Sequence, residues 1–276
     1  MDLATVGYVA CAAVIFLLAI RVPISFAIGG VAVTAIFVVF AFRTGTFMPE
    51  RAFWTTLSLA FSSSFDLVHS YDLSMIPLFI ALGHIAYKAG ITTEIYEAAR
   101  VWLSRLPGGV AIASIAGCGG FSAISGSSIA CASTMGRICT PEMMRLNYDP
   151  RLATASVAAG GTLGSLIPPS VPLIIYGAVS SVSVADLFIG GIVPGVALAL
   201  ALCVYIYFRA LFNPAEAPMG EQIAYSWRDR MKAIGGIWHA VLLIVLVLGA
   251  IYSGIATPSE AAAFGAVGAF VVAVGI

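Results

Sequence analysis

The fold is decided by one stretch, Gly117 to Ser170, which reads GCGGFSAISGSSIACASTMGRICTPEMMRLNYDPRLATASVAAGGTLGSLIPPS. Two parts of this stretch are rich in glycine and hydroxyl residues, although they lie within a strongly apolar chain. The first covers residues 119–128 (GGFSAISGSS) and the second residues 160–170 (GGTLGSLIPPS). Irregular backbone at membrane depth is tolerated only where protein buries it or where it lines a cavity. Paired interruptions of this kind are typical of the ion or substrate site of a secondary transporter.

The composition is that of an integral membrane protein. Hydrophobic residues make up 61% of the chain and charged residues 9%, whereas about a quarter of the residues of a soluble domain are charged. The apolar segments are long and continuous, which favours transmembrane helices over the short alternating strands of a barrel. We therefore predict an all-α polytopic protein that lies in the lipid bilayer. The net charge of zero gives no indication of a nucleic-acid partner.

The apolar runs predict the following order of elements. Two spanning helices cover residues 4–20 and 23–42, and an amphipathic helix over 91–106 lies on the membrane surface. The interrupted run 110–138 is predicted to be a re-entrant hairpin that turns near residues 125–128. The run 152–178 is predicted to cross the membrane as a helix broken by its prolines. Further spans cover 185–208 and 238–254, a polar loop lies between them, and a last run opens at Thr257.

The basic residues predict the orientation. With the N-terminus outside and the segment 110–138 re-entrant, eleven of the thirteen lysines and arginines fall on the inner side, and only Arg43 and Arg51 fall outside. This distribution agrees with the positive-inside rule. A full crossing by 110–138 would place the later basic loops outside. The charge distribution therefore favours the hairpin independently of its glycine content.

The interrupted segments carry the oxygen atoms that a sodium ion needs. Helix breaks near Gly126 and between Gly164 and Pro169 free backbone carbonyls, since proline supplies no N–H. Hydroxyl groups to complete a coordination shell come from Ser122, Ser125, Ser127, Ser128 and Thr162. The alternative is that the small residues only allow close packing of helices. The presence of two such segments, each with helix breakers, favours an ion or substrate site.

Other polar residues have structural explanations beside functional ones. Glu142 is either a salt-bridged interfacial residue or a coupling residue, and His84 could serve a proton relay. Asp186 and Glu260 stand where carboxylates cap helices, and Thr257 with Glu260 has the spacing of a capping box. No pattern of a catalytic or nucleotide-binding site is present, so we predict that the chain is not an enzyme and uses no organic cofactor. An ion gradient is the expected source of energy.

At the interrupted segments and around them, the sequence resembles the large membrane subunit of tripartite ATP-independent periplasmic (TRAP) transporters. The resemblance covers nearly the whole chain. It is carried by the segments 21–29 (RVPISFAIG), 106–109 (LPGG), 121–128 (FSAISGSS), 141–143 (PEM), 158–164 (AAGGTLG), 166–170 (LIPPS), 173–177 (LIIYG), 187–195 (LFIGGIVPG) and 257–261 (TPSEA).

The resemblance implies an inverted-repeat elevator fold of the ion-transporter superfamily, with two re-entrant hairpins. Residues 1–106 would form scaffold helices and an interfacial arm, and residues 107–184 half of the transport domain. Residues 185–276 would hold a connecting helix, a cytoplasmic loop and the start of the second repeat. The second hairpin and a second sodium site would lie beyond Ile276, so we expect a truncated permease that does not transport alone.

The resemblance also implies a site and partners. Sodium would bind the hydroxyls of Ser122 and Ser127 and the carbonyls of Gly164, Ile167 and Pro169. Ser125, Gly126, Ser128, Thr162 and Ser165 would line the site, and Ser165 stands where the family often has an apolar residue. The partners would be a small TRAP membrane subunit and a periplasmic solute-binding protein. The location would be the bacterial inner membrane, with the N-terminus periplasmic.

The leading hypothesis is therefore a sodium-coupled permease subunit that imports small organic acids such as C4-dicarboxylates. One alternative is a stand-alone carboxylate transporter of the same superfamily that needs no binding protein. A membrane enzyme or a purely structural membrane subunit is the alternative from a different class. The sequence does not select the substrate.

Overall fold

The computed structural model describes residues 3–42, 47–218 and 225–275. Arg43, which the charge distribution places outside, and residues 219–224 of the predicted polar loop lie outside the described residues. The described residues form helices and no β-strand. They divide into two compact units, residues 1–69 and 70–276.

The first unit contains three helices. Helix α1 covers Leu3–Ala19, α2 covers Ile24–Phe42 and α3 covers Pro49–Val68. A tight turn joins α1 to α2, with Arg21 in the left-handed region (φ 67°). Most apolar side chains of α1 and α2 are exposed or half-buried, as expected of helices that face lipid.

The second unit begins with four helices, and the last two of them cover the segment predicted to be the hairpin. Helix α4 covers Met75–Lys88, α5 covers Ile91–Leu103, α6 covers Gly109–Ser125 and α7 covers Ser128–Arg145. The Cys131 thiol of α7 lies 3.6 Å from the Cys118 carbonyl of α6, so the two helices pack side by side. Helix α7 is longer than expected, because it continues past residue 138 through Pro141.

The remaining helices follow in chain order. They are α8 (Pro150–Gly161), α9 (Val171–Ser180), α10 (Val184–Phe212), α11 (Trp227–Gly236), α12 (Trp238–Tyr252, with a π-helical turn at Val245–Gly249) and α13 (Pro258–Gly275). Helix α11 occupies part of the predicted polar loop and starts with a Ser226/Asp229 capping box. The capping box predicted for Thr257 and Glu260 is confirmed by hydrogen bonds in both directions.

Two buried clusters hold the second unit together. One lies between α5, α6, α7, α8 and α10 and includes Tyr96, Phe121 and Leu163. The other lies between α4, α10, α12 and α13 and includes Phe79 and Phe188. Helix α6 takes part in both, since its last turn supplies Ile124 to the second cluster. Its C-terminal end is therefore held firmly between the two cores.

Among the described residues, three helices are long and apolar enough to cross a membrane: α2, α10 and α13. Helices α11 and α12 meet that criterion together as one pair bent by 41°. The chain is thus a helical protein with several apolar helices, as its composition predicted.

Candidate functional site

The tip of the hairpin is a two-residue turn between α6 and α7. Gly126 ends α6 in the left-handed region (φ 63°), and its N–H donates to the Ser122 carbonyl at 3.0 Å. Ser127 is extended and caps α7, since its hydroxyl accepts the Ala130 N–H at 3.3 Å. The Ser127 hydroxyl keeps its own proton and a second lone pair for another partner.

The broken helix is irregular between α8 and α9. Helix α8 ends at Gly161, a single 3₁₀ turn covers Thr162–Ser165, and α9 starts at Val171. Pro168 and Pro169, joined by a cis peptide bond, cannot donate to the carbonyls of Gly164 and Ser165 as residues of a continuous helix would. The Ser165 carbonyl instead accepts the Ser170 hydroxyl at 2.7 Å.

The hairpin tip and the irregular segment meet backbone to backbone. A Cβ on Gly164 would lie 2.8 Å from the Ser128 nitrogen, and a Cβ on Gly126 would lie 2.5 Å from the Pro169 carbonyl oxygen. The Val171 N–H donates to the Gly126 carbonyl at 2.9 Å. Glycine is required at both positions because any side chain would push these two segments apart.

Four helix ends converge at this contact. The C-terminal end of α6 and the end of α8 bring partial negative charge, and the N-terminal ends of α7 and α9 bring partial positive charge. The Val171–Gly126 hydrogen bond joins the N-terminal end of α9 to the C-terminal end of α6. An arrangement of opposed half-helix ends can bind a cation at freed carbonyls and an anionic group at N–H donors.

The predicted site residues are only partly brought together. Gly126, Ser127, Ser128, Gly164 and Pro169 meet at the contact. The Ile167 N–H donates to the Leu163 carbonyl at 2.8 Å, and the Ile167 side chain packs against the backbone at Gly119 and Gly195. The hydroxyls of Thr162 and Ser165 donate to carbonyls of their own turn.

Two serine hydroxyls of α6 are buried without a strong hydrogen-bond partner among the described residues. Ser122 is 0% exposed and Ser125 is 2% exposed. The Ser122 hydroxyl neighbours the Cys131 thiol, which is a weak partner. Buried hydroxyls are normally satisfied, so both atoms are available to a ligand that the protein itself does not supply.

A cavity of about 360 Å³ opens beside the hairpin tip. Ser125 and Ser127 lie on one wall and α4 forms the other, with Gly83, His84 and Tyr87. Gly83 allows the approach, because a Cβ there would lie 2.6 Å from the Ser125 Cβ. The sequence did not predict that α4 contributes to this site. His84 was considered only for a proton relay, and Gly83 was not singled out.

An ion-pair cluster joins α5 to the far end of α7. The Arg100 guanidinium contacts the Glu142 carboxylate at 2.6 Å and the Glu97 carboxylate at 2.8 Å. The Arg145 guanidinium also contacts the Glu142 carboxylate, at 2.7 Å. The side chains of Arg100 and Glu142 are only 20% and 18% exposed. Of the two roles considered for Glu142, the structure shows the salt-bridged one.

The Arg145 hydrogen bond and the charge of Arg100 hold the pKa of the Glu142 carboxyl below its ordinary value of 4.5. A carboxyl with a lowered folded-state pKa stabilises the fold above its unfolded pKa, and this stabilisation disappears as the pH falls through the folded pKa. We therefore expect the stability difference between wild type and Glu142→Gln to be largest near neutral pH and to shrink below about pH 4.5. Thermal unfolding in detergent at pH 7 and at acidic pH measures it, and a pH-independent difference would contradict this assignment.

The fold defines a class of protein: a helical membrane protein with several apolar helices, in which two interrupted segments meet backbone to backbone. Residues 11–276 match the family model described as tripartite ATP-independent periplasmic transporter, DctM component. The chain belongs to this family, whose members are transporter components and not enzymes. A bacterial transporter of this kind lies in the inner membrane.

Curated relatives agree with the family. The chain is 38% identical over 203 residues to the isethionate TRAP transporter permease protein DctMQ of Oleidesulfovibrio alaskensis. The matched region covers 74% of this chain and 32% of the relative. The chain is 37% identical to the C4-dicarboxylate TRAP transporter large permease protein DctM of Vibrio cholerae, with 74% and 44% covered. The sialic acid TRAP transporter large permease protein SiaM of the same organism is 32% identical, with 76% and 48% covered. The chain therefore spans a third to a half of the length of these relatives.

Proposed function

We propose that the chain forms part of a sodium-coupled permease that imports a small organic anion by an elevator movement. The observation that carries the proposal is the backbone contact between the hairpin tip and the interrupted helix, next to two buried hydroxyls without strong partners. The three relatives described above are named for isethionate, C4-dicarboxylate and sialic acid. All three solutes are anions, which supports an anionic substrate.

Sodium fits this site because the available groups are neutral oxygens. In this proposal the hydroxyls of Ser122 and Ser127 and the carbonyls of Gly164, Ile167 and Pro169 hold the ion. The carbonyl ends of α6 and α8 favour a cation there. Bound sodium would supply positive charge that offsets the negative charge of the substrate. Ser125, Gly126, Ser128, Thr162 and Ser165 stay in the proposal as the residues around the ion and the substrate.

The substrate anion is best placed in the cavity between α4 and the hairpin tip. The cavity adjoins Ser127, the first residue before α7, so an anion there faces the positive end of that helix. Ser127 and Thr134 also line this cavity, and their hydroxyl groups can donate to a carboxylate or sulfonate. Sodium on the carbonyl side and an anion on the N–H side would stabilise each other, which is a physical basis for symport.

The proposal includes the domain division and the orientation that the sequence predicts. Residues 107–184 would be half of the moving domain, with α6 and α7 as a re-entrant hairpin that enters from the cytoplasmic side. Residues 1–106 would supply scaffold helices and an interfacial arm, and residues 185–276 the connection to a second repeat. The N-terminus would be periplasmic. The proposed partners are a small TRAP membrane subunit and a periplasmic solute-binding protein.

Replacing Ser127 with alanine tests the ion site. The variant removes one hydroxyl ligand, and we expect the sodium concentration for half-maximal uptake to rise about tenfold, as for the loss of one hydrogen bond to a charged group. The matched control is Ser180→Ala, since the Ser180 hydroxyl donates to the Tyr176 carbonyl of its own helix and lies outside the proposed site. Uptake of labelled organic acid by the complete transporter in proteoliposomes, as a function of sodium, measures both variants.

Three outcomes would count against the proposal. Uptake that continues when choline replaces sodium would show that sodium is not the coupling ion. Equal effects of Ser127→Ala and Ser180→Ala would show that Ser127 is not part of the ion site. Full uptake without any binding protein would support the stand-alone carboxylate transporter instead.

A further inference from the structure

A groove between α8 and α10 combines an apolar floor with two arginines at one end. Its volume is about 260 Å³. The floor is made by the buried side chains of Ile115, Leu152 and Ile206. Ser156 also lies in the groove, but its hydroxyl already donates to the Leu152 carbonyl at 2.7 Å. The floor therefore presents no unsatisfied polar group and suits a hydrocarbon chain.

Both arginines lie at the same end because the two helices run in opposite directions. The groove residues of α8 run from Arg151 to Ala159, and those of α10 run from Arg209 back to Leu202. The Asp149 N–H donates to the Glu216 carbonyl at 2.8 Å, which fixes the start of α8 beside the end of α10. At 1.5 Å per residue the groove is about 12 Å long, with the charges at one end and alanine and leucine at the other.

The arginines are placed to bind an anion. The exposed Arg151 guanidinium forms no ion pair or hydrogen bond with any described residue. Arg209 is oriented by the Glu216 carboxylate at 2.6 Å and the Tyr205 hydroxyl at 2.8 Å, which leaves further N–H groups free. Of the nearby carboxylates, Glu216 pairs with Arg209 and Asp149 caps α8 through the Arg151 N–H. Neither carboxylate lines the groove.

We propose that this groove binds an anionic phospholipid, with its phosphate on Arg151 and Arg209 and part of one acyl chain along α8 and α10. A groove that is basic at one end and apolar at the other matches the two ends of such a lipid. The proposed orientation puts the arginines on the cytoplasmic side, where basic residues near the surface are attracted to anionic lipid head groups. The arginines must supply the selectivity, since an acyl chain gains little by leaving other acyl chains.

Photocrosslinking tests the proposal on the purified permease in phosphatidylcholine nanodiscs. A phosphatidylglycerol probe with a photoreactive acyl chain is expected to label α8 and α10 peptides at least fivefold more than the corresponding phosphatidylcholine probe. Arg151→Gln should lower phosphatidylglycerol labelling about fivefold, and Arg151→Lys should retain most of it. Arg228→Gln is the matched control, because Arg228 is exposed on α11 and does not line the groove.

Equal labelling by the two wild-type probes would overturn the proposal, and this comparison does not depend on any variant folding. Unchanged labelling in Arg151→Gln would also overturn it. Displacement of the lipid probe by soluble glycerol phosphate would assign the arginines to a free phosphate and not to a lipid. Ala155→Phe keeps both charges but fills the groove, so it should reduce labelling. Arg228→Gln should leave labelling unchanged.

Discussion

Replacing Gly126 with alanine is expected to abolish most of the transport activity of the complete permease. Gly126 has a φ of 63°, which costs an L-residue about 1–2 kcal/mol. The new methyl group would also lie 2.5 Å from the Pro169 carbonyl oxygen, a backbone atom that cannot turn away. The hairpin tip must then move relative to the interrupted helix. We expect a loss of about 2–5 kcal/mol in stability and a decrease in uptake of about 10- to 100-fold.

Gly119→Ala is the matched control for this prediction. It adds the same methyl group to the same helix, but the nearest atoms would be side-chain carbons of Ile167 at 3.6 Å and Leu163 at 3.9 Å. These are ordinary contacts, so folding and uptake should be nearly unchanged. Uptake in proteoliposomes and thermal unfolding in detergent compare the two variants. If both glycine variants behaved alike, the contact between Gly126 and Pro169 would not be important for transport.

The second large effect is expected from Glu142→Gln. This change leaves the Arg100 guanidinium, which is only 20% exposed, without its partner on α7. Removing one member of a buried ion pair is costly because the other charge stays desolvated. Partial access to water and the remaining Glu97 contact reduce the cost, so we expect a loss of about 1–3 kcal/mol. The change would also loosen α5 from the hairpin helix α7.

Glu97→Gln is the control, since Glu97 is 46% exposed and its loss leaves Arg100 paired with Glu142. A change of less than about 1 kcal/mol is expected there. The double variant Arg100→Gln with Glu142→Gln should lose less stability than the two single variants combined, because the two residues interact directly. Strict additivity in thermal unfolding would mean that this ion pair does not couple the two helices.

Much of the local structure could be predicted from the sequence. The start of α13 after Thr257 and the capping contact with Glu260 depend on residues three positions apart, and both are present. The membrane class and the family follow from composition and motifs, and the family model covers residues 11–276. Helix α11 was missed, because a polar segment without a clear apolar period was interpreted as a loop. The length of α7 was missed, because Pro141 and nearby charges indicated an end that the helix passes through.

The sequence by itself determined where the chain is apolar, where its helices are interrupted and which residues carry oxygen at those interruptions. These properties depend on each residue and its near neighbours, since glycine and proline act on their own turn of backbone. Only the tertiary structure decided that Gly126 contacts Pro169, that Arg100 pairs with Glu142 and that Arg151 and Arg209 share the end of one groove. Those contacts join residues 42 to 58 positions apart. They exist because the buried clusters fix α5, α6, α7, α8 and α10 against one another, and no local pattern encodes that packing.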